Sequence, residues 1–150
     1  MANSNSFWVL YGQHTQPTYI ADASGGQQEQ RDAALKHVKQ WRVCLDIGSN
    51  IGQWTRPLSK KFESVVCFEP NPNFRECFEK NITAANVLLW PYGLSDKQHK
   101  AKQDFNSTQL KNEDGNIDCR TLDSFGLTNV DFVKIDVDGF EVQLLNGAKE

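Results

Sequence analysis

No apolar run in this 150-residue sequence approaches the length of a membrane span. The opening residues, "MANSNSFWVLYGQ", carry neither a basic segment nor a long apolar core, so no secretory signal is read there. Charge of one sign is also missing. Lys plus Arg number 16 against 19 Asp plus Glu, a net charge of −3, which gives no electrostatic case for nucleic acid or an anionic membrane. The histidines stand isolated at His14, His37 and His99 and are assigned to surface or helix-face positions; His99, which follows "YGLSDK", comes nearest to a candidate base. Cys44, Cys67, Cys77 and Cys119 form no CxxC pair and no Cys/His ligand spacing, so no zinc site is expected. Cys44 and Cys67 sit inside apolar runs, where a thiol behaves as a small hydrophobe. Reduced thiols of this kind suit a cytoplasmic protein. Internal repeats are lacking as well.

The length suits one domain, with 1–41 as cap segments and a helix and 42–150 as the core. Ala34, Leu35, Val38 and Trp41 recur at helical spacing and predict a helix over 27–41. An apolar strand follows at 42–46. Ile51, Trp54, Leu58 and Phe62 mark a second helix, which Pro57 should bend or shorten. "SVVCFEP" reads as a strand ending in an acid. "NPNFRECFEKN" reads as a helix capped by Asn71 with Pro72 at its first position. "NVLLW" and "VDFVKIDV" read as further strands, and "GFEVQLLNG" as a helix with Gly147 at its C-cap. The polar stretch from 92 to 121 contains "STQLKNEDGNID", which reads as a hairpin or mobile loop. Strands alternating with helices predict a mainly parallel α/β sheet.

Ligands of such sheets bind beyond the carboxyl ends of the strands, where strand order reverses. "LDIGSNIG" lies at the end of the first central strand. Gly48 permits a turn at positive φ, and Gly52 permits close packing of the next helix. A dinucleotide loop would read GxGxxG; here Asp46 replaces the first glycine and Ile51 the third. A carboxylate beside a pyrophosphate is repelled, which disfavours a nicotinamide cofactor. S-adenosylmethionine, which carries a sulfonium and an ammonium but no phosphate, suits the loop, with Asp46 facing the ammonium directly or through water. Glu69 ends the next strand 23 residues later (69 − 46), near the distance at which an acid meets ribose hydroxyls. The same residues also fit a plain strand-to-helix turn in which Asp46 caps the helix.

Taken together, "CLDIGSNIGQWT", "VVCFEPNPNFRECFEKN", "YGLSDK" and "RTLDSFGLTNVDFVKIDVDGFEVQLLNGA" resemble the FkbM family of S-adenosylmethionine-dependent methyltransferases. The resemblance implies a Rossmann-like, doubly wound, mainly parallel sheet of the class I methyltransferase type. It implies methyl transfer from S-adenosyl-L-methionine to a hydroxyl of a sugar or other small metabolite. Its cofactor residues carry over to Asp46, Gly48, Asn50, Gly52 and Glu69. Gly93 and Leu94 fall near the adenine, and Asp136 beside the reacting methyl as the catalytic base. Asp138 and Glu141 are equally well explained as a cap and a first-turn acid, and Lys134 as a lysine that pairs with an acid or reaches the sheet end. Measured against the family, the sequence lacks the last strands of the sheet. Its fourth strand is therefore expected to leave an apolar edge, open to a homo-oligomer. The second function class is a non-catalytic module that binds S-adenosylmethionine or a partner without turnover.

Overall fold

A computed structural model describes residues 7–10, 17–20, 27–104 and 107–149; His14 and much of the cap region lie outside them. In chain order the elements are β1 (Phe7–Leu10), β2 (Pro17–Ile20), α1 (Gln28–Leu35), β3 (Val43–Ile47), α2 (Thr55–Leu58), β4 (Ser64–Phe68), α3 (Pro72–Asn81), β5 (Val87–Trp90), β6 (Gly93–Leu94), β7 (His99–Gln103), β8 (Leu110–Lys111), β9 (Ile117–Arg120), a 3₁₀ turn at Asp123–Phe125, β10 (Val130–Ile135) and α4 (Glu141–Asn146).

The four apolar runs form one parallel sheet in the order β10-β3-β4-β5. The chain steps outward from β3 to β5, then returns to place β10 on the other side of β3, so the order reverses between β3 and β10. Alternation along the strands gives the sheet two apolar faces. Cys44, Val65 and Cys67 meet Leu35, Leu58 and Phe78 on one face; Leu45, Ile47, Val66 and Phe68 meet Leu94 and Leu144 on the other. Burial pushes the Cys77 and Cys119 thiols up to about 11, and those of Cys44 and Cys67 higher still, so all four stay protonated in the core.

Two expectations are corrected. The first helix ends at Leu35 rather than at 41. Its last turn tightens into i→i+3 bonds at Lys36, His37 and Val38, and Trp41 instead fixes the start of the sheet by accepting from the Glu63 amide at 2.8 Å. Gly147 stands at the C-cap of α4 as expected, with a φ of −100°. A Cβ there would lie 2.1 Å from the Ser95 carbonyl oxygen, so close approach requires this glycine, not a left-handed cap. The polar stretch after β5 builds a second, small sheet in the order β6-β9-β7-β8. Ala101, Ile117 and Cys119 fill its interior, while the Lys100–Asp118 and Lys102–Glu113 pairs lie on its wet side.

β1 and β2 form an antiparallel pair. Asn81, at the end of α3, ties β1 to the glycine loop by accepting from the Trp8 amide and donating to the Trp8 and Ile51 carbonyls. Among the described residues β10 is an edge of the parallel sheet. A groove of about 730 Å³ runs along it beside Leu144 and Leu145, and Val133 is 42% and Leu145 56% exposed.

Candidate functional site

β3 ends in "DIGSN", and each residue of that turn is fixed differently. Asp46 is fully buried. Its Oδ2 accepts from Thr55 Oγ1 at 2.6 Å, and its Oδ1 faces Lys134 Nζ at 3.1 Å as an ion pair without hydrogen-bond alignment. The parallel register sets Lys134 directly beside Asp46, and the same ammonium donates to the Gly48 carbonyl at 2.7 Å. The paired-acid reading of Lys134 therefore holds, and its charge is committed inside the protein. Asp46 is not among the residues that line the cavity; its carboxylate is turned toward Lys134 and Thr55.

Gly48 turns with a φ of +72°; its amide and that of Ser49 both donate to the Phe68 carbonyl. Asn50 is left-handed at +50° and donates its amide to Glu69 Oε2 at 2.9 Å. Gly52, at +90°, packs against the end of α3 rather than the strand, since a Cβ would meet Ile82 at 2.7 Å.

Glu69 links the two strand ends. Its other oxygen accepts the Asn71 amide at 2.8 Å, so each oxygen retains a lone pair for a further donor. Only 4% of the residue is exposed. Burial pushes its carboxyl up to about 7, against the opposing pull of the Asn71 and Asn50 amides, Arg75 and Lys134.

These strand ends surround a cavity of about 290 Å³. Gly48, Asn50, Glu69 and Asp136 all line it, as do Asp138 and Lys134. Asp136 arrives through the continued ladder, its amide donating to the Ile47 carbonyl at 3.1 Å, and its side chain is exposed. Asp138 is left-handed at +48°, in a turn where Glu141 accepts from the Gly139 amide. Gly93 and Leu94 are not brought to this cavity. Gly93 is pressed against Cys119 in the small sheet, and Leu94 belongs to the main core. Sequence reasoning missed Ser49, Gln27 and Arg31, all on the cavity wall. The Ser49 hydroxyl is buried and has no partner among the described residues.

An acid-bearing cavity at a strand-order reversal is general to many enzymes. The sequence adds what geometry leaves open: the methyltransferase FkbM domain matches residues 46–150. The chain belongs to the FkbM methyltransferase family. Among curated proteins it is similar to the hexuronic acid methyltransferase AglP of Haloferax volcanii, with 28% identity over 135 residues, 81% of this chain and 56% of that protein. The chain thus spans about half the length of the curated relative it matches. In this FkbM chain the matched region begins at Asp46 and takes in every site residue placed above except Gln27 and Arg31, which stand on and beside α1.

Proposed function

We propose that this chain binds S-adenosyl-L-methionine in the cavity at the β3/β10 reversal and transfers its methyl group to an oxygen of a sugar or other small metabolite. The observation that carries this reading is a buried set of polar atoms aimed at a ligand: the Ser49 hydroxyl without a partner, and the Glu69 carboxylate with lone pairs to spare. Hydroxyls of a ribose fit Glu69, and an ammonium fits a wall that carries Asp136 and Asp138. The fold is read as the doubly wound class I type, supported by strand order and by helices against both apolar faces.

When bound, the cofactor supplies an activated methyl group. The protein's work is alignment, worth about 7–11 kcal/mol in favourable cases, and removal of a proton from a hydroxyl acceptor. Asp136 is the base in this account, because it is exposed and lines the cavity at the strand end next to the glycine loop. The Asp46–Lys134 pair holds that loop in shape, with Lys134 donating to the Gly48 carbonyl. The name of the Haloferax relative makes sugar acids the first acceptors to try. Transfer of radiolabelled methyl to glucuronate or a glucuronate-bearing oligosaccharide, reduced at least about a hundredfold in Asp136→Asn, supports the assignment. Equal transfer by that variant removes Asp136 from the chemistry. The four buried thiols support a cytoplasmic setting.

Glu69 gives the site a pH signature. Its folded pKa of about 7 lies above the unfolded value of about 4.3. Its contribution to stability is therefore complete below about 4.5 and is lost as pH rises through about 7. Ligand hydroxyls donate to the ionised form, so affinity for S-adenosylhomocysteine is expected to rise between about pH 6 and 8, with proton release on binding. Calorimetry in buffers of different ionisation enthalpy reads both. Glu69→Gln should flatten the profile; a flat wild-type profile contradicts this role.

The β10 edge supports a further expectation. A strand edge with no partner among the described residues, beside an apolar groove, favours association, and we assign the groove to a second copy of the chain. Sedimentation velocity should show concentration-dependent dimers that Val133→Lys disperses. A single monomeric species at all concentrations rejects the assignment.

A further inference from the structure

Two cations line the cavity among the described residues, Lys134 and Arg31. Lys134 is neutralised by Asp46 and its ammonium is turned to the Gly48 carbonyl. Arg31 is different. It projects from α1, one helical turn before the buried Leu35, and its side chain is only 14% exposed. Its acidic neighbour among the described residues is Asp32, an adjacent, half-exposed side chain at 4.0 Å, the outer limit of an ion pair. The guanidinium instead lies 5.7 Å from the centre of the Trp54 ring, within cation–π range. Trp54 is itself held by its indole N–H, which donates to Oε1 of the Gln27 side chain. The cation is thus positioned at the cavity wall with no committed carboxylate in good geometry among the described residues.

We propose that Arg31 is the carboxylate-binding residue of this cavity. The inference rests on the methyltransferase reading, and it adds what the site selects. Asp136 and Asp138 line the same cavity and repel an anion, so a carboxylate entering it finds its cationic partner on α1. There the planar guanidinium offers paired donors that match the two carboxylate oxygens. The carboxylate has two possible sources, the amino-acid end of the cofactor or an acidic acceptor such as a sugar acid. The chemistry is shared, and one experiment separates them.

Arg31→Met keeps the apolar stem and removes the charge; Arg31→Lys keeps the charge without the fork. Calorimetric titration compares S-adenosylhomocysteine with 5′-methylthioadenosine, which lacks the amino-acid carboxylate. Ligand-observed NMR compares glucuronate with glucose on protein saturated with S-adenosylhomocysteine. Arg31→Met is expected to weaken one carboxylate-bearing probe by about tenfold or more, while its carboxylate-free counterpart is unaffected and Arg31→Lys recovers part of the loss. Loss confined to S-adenosylhomocysteine assigns Arg31 to the cofactor; loss confined to glucuronate assigns it to the acceptor. Unchanged affinity for all probes overturns the proposal, as does an equal fall for both members of a pair. A wild-type protein that binds neither adenosine compound counts instead against the methyltransferase reading, and the glucuronate comparison, made on the free protein, then decides Arg31 alone.

Discussion

Gly48→Ala is expected to cost about 3–5 kcal/mol of stability and to abolish cofactor binding. The φ of +72° penalises any Cβ, at about 1–2 kcal/mol. The larger effect is contact: an added Cβ would lie 1.9 Å from the Asp136 carbonyl oxygen and 2.9 Å from its carbonyl carbon. Both are backbone atoms, so no rotamer change relieves the clash. The ends of β3 and β10 must separate, which stretches the Asp136 to Ile47 bond and opens the cavity at its floor. Gly126 supplies the control. It is also left-handed, at +58°, but a Cβ there meets nothing within 4 Å, so Gly126→Ala should lose only the conformational share. Urea unfolding of the two variants makes the comparison; equal losses contradict the close-approach account.

Breaking the Asp46–Lys134 pair is expected to cost nearly as much. Lys134→Met leaves a fully buried carboxylate with Thr55 as its remaining partner, and Asp46→Ala leaves the ammonium against backbone carbonyls alone. Removing one member of a buried pair costs about 3–5 kcal/mol, because the other charge stays uncompensated. The double variant Asp46→Leu with Lys134→Met removes both charges and should be less destabilised than the sum of the singles. Additive losses would mean that the two charges do not depend on one another. Because Lys134 also holds the Gly48 carbonyl, each single variant should weaken binding of S-adenosylhomocysteine even though Asp46 touches no part of the cavity.

The parallel sheet was legible in the sequence because its strands are buried on both faces and read as continuous apolar runs, as in "VCLDI" and "SVVCF". Asn71 and Pro72 marked the start of α3 by local chemistry, and the structure places the Asn71 cap on the Asn73 amide. The small sheet was not legible. Its inward positions in β7 are Ala101 and Gln103, one small and one polar, so alternation left no hydrophobic signal. Glu69 was found from its place at a strand end. Asp46 was legible as a strand-end acid, but its pairing with Lys134 was not, since which way such an acid faces depends on the neighbouring strand's register. Arg31 lay one turn before Leu35, on the inward side of its helix, and that spacing was the available signal. Ser49 gave none: a serine in a glycine loop looks the same whether its hydroxyl is bonded or bare.

The most direct test of the central claim is calorimetric titration of the chain with S-adenosylhomocysteine, beside a Glu69→Ala variant and a titration with NAD. Saturable binding that is lost in the variant, with no uptake of NAD, is the result expected of a methyl-donor site at the β3/β10 reversal. A folded chain that ignores S-adenosylhomocysteine, or that prefers NAD, would contradict it.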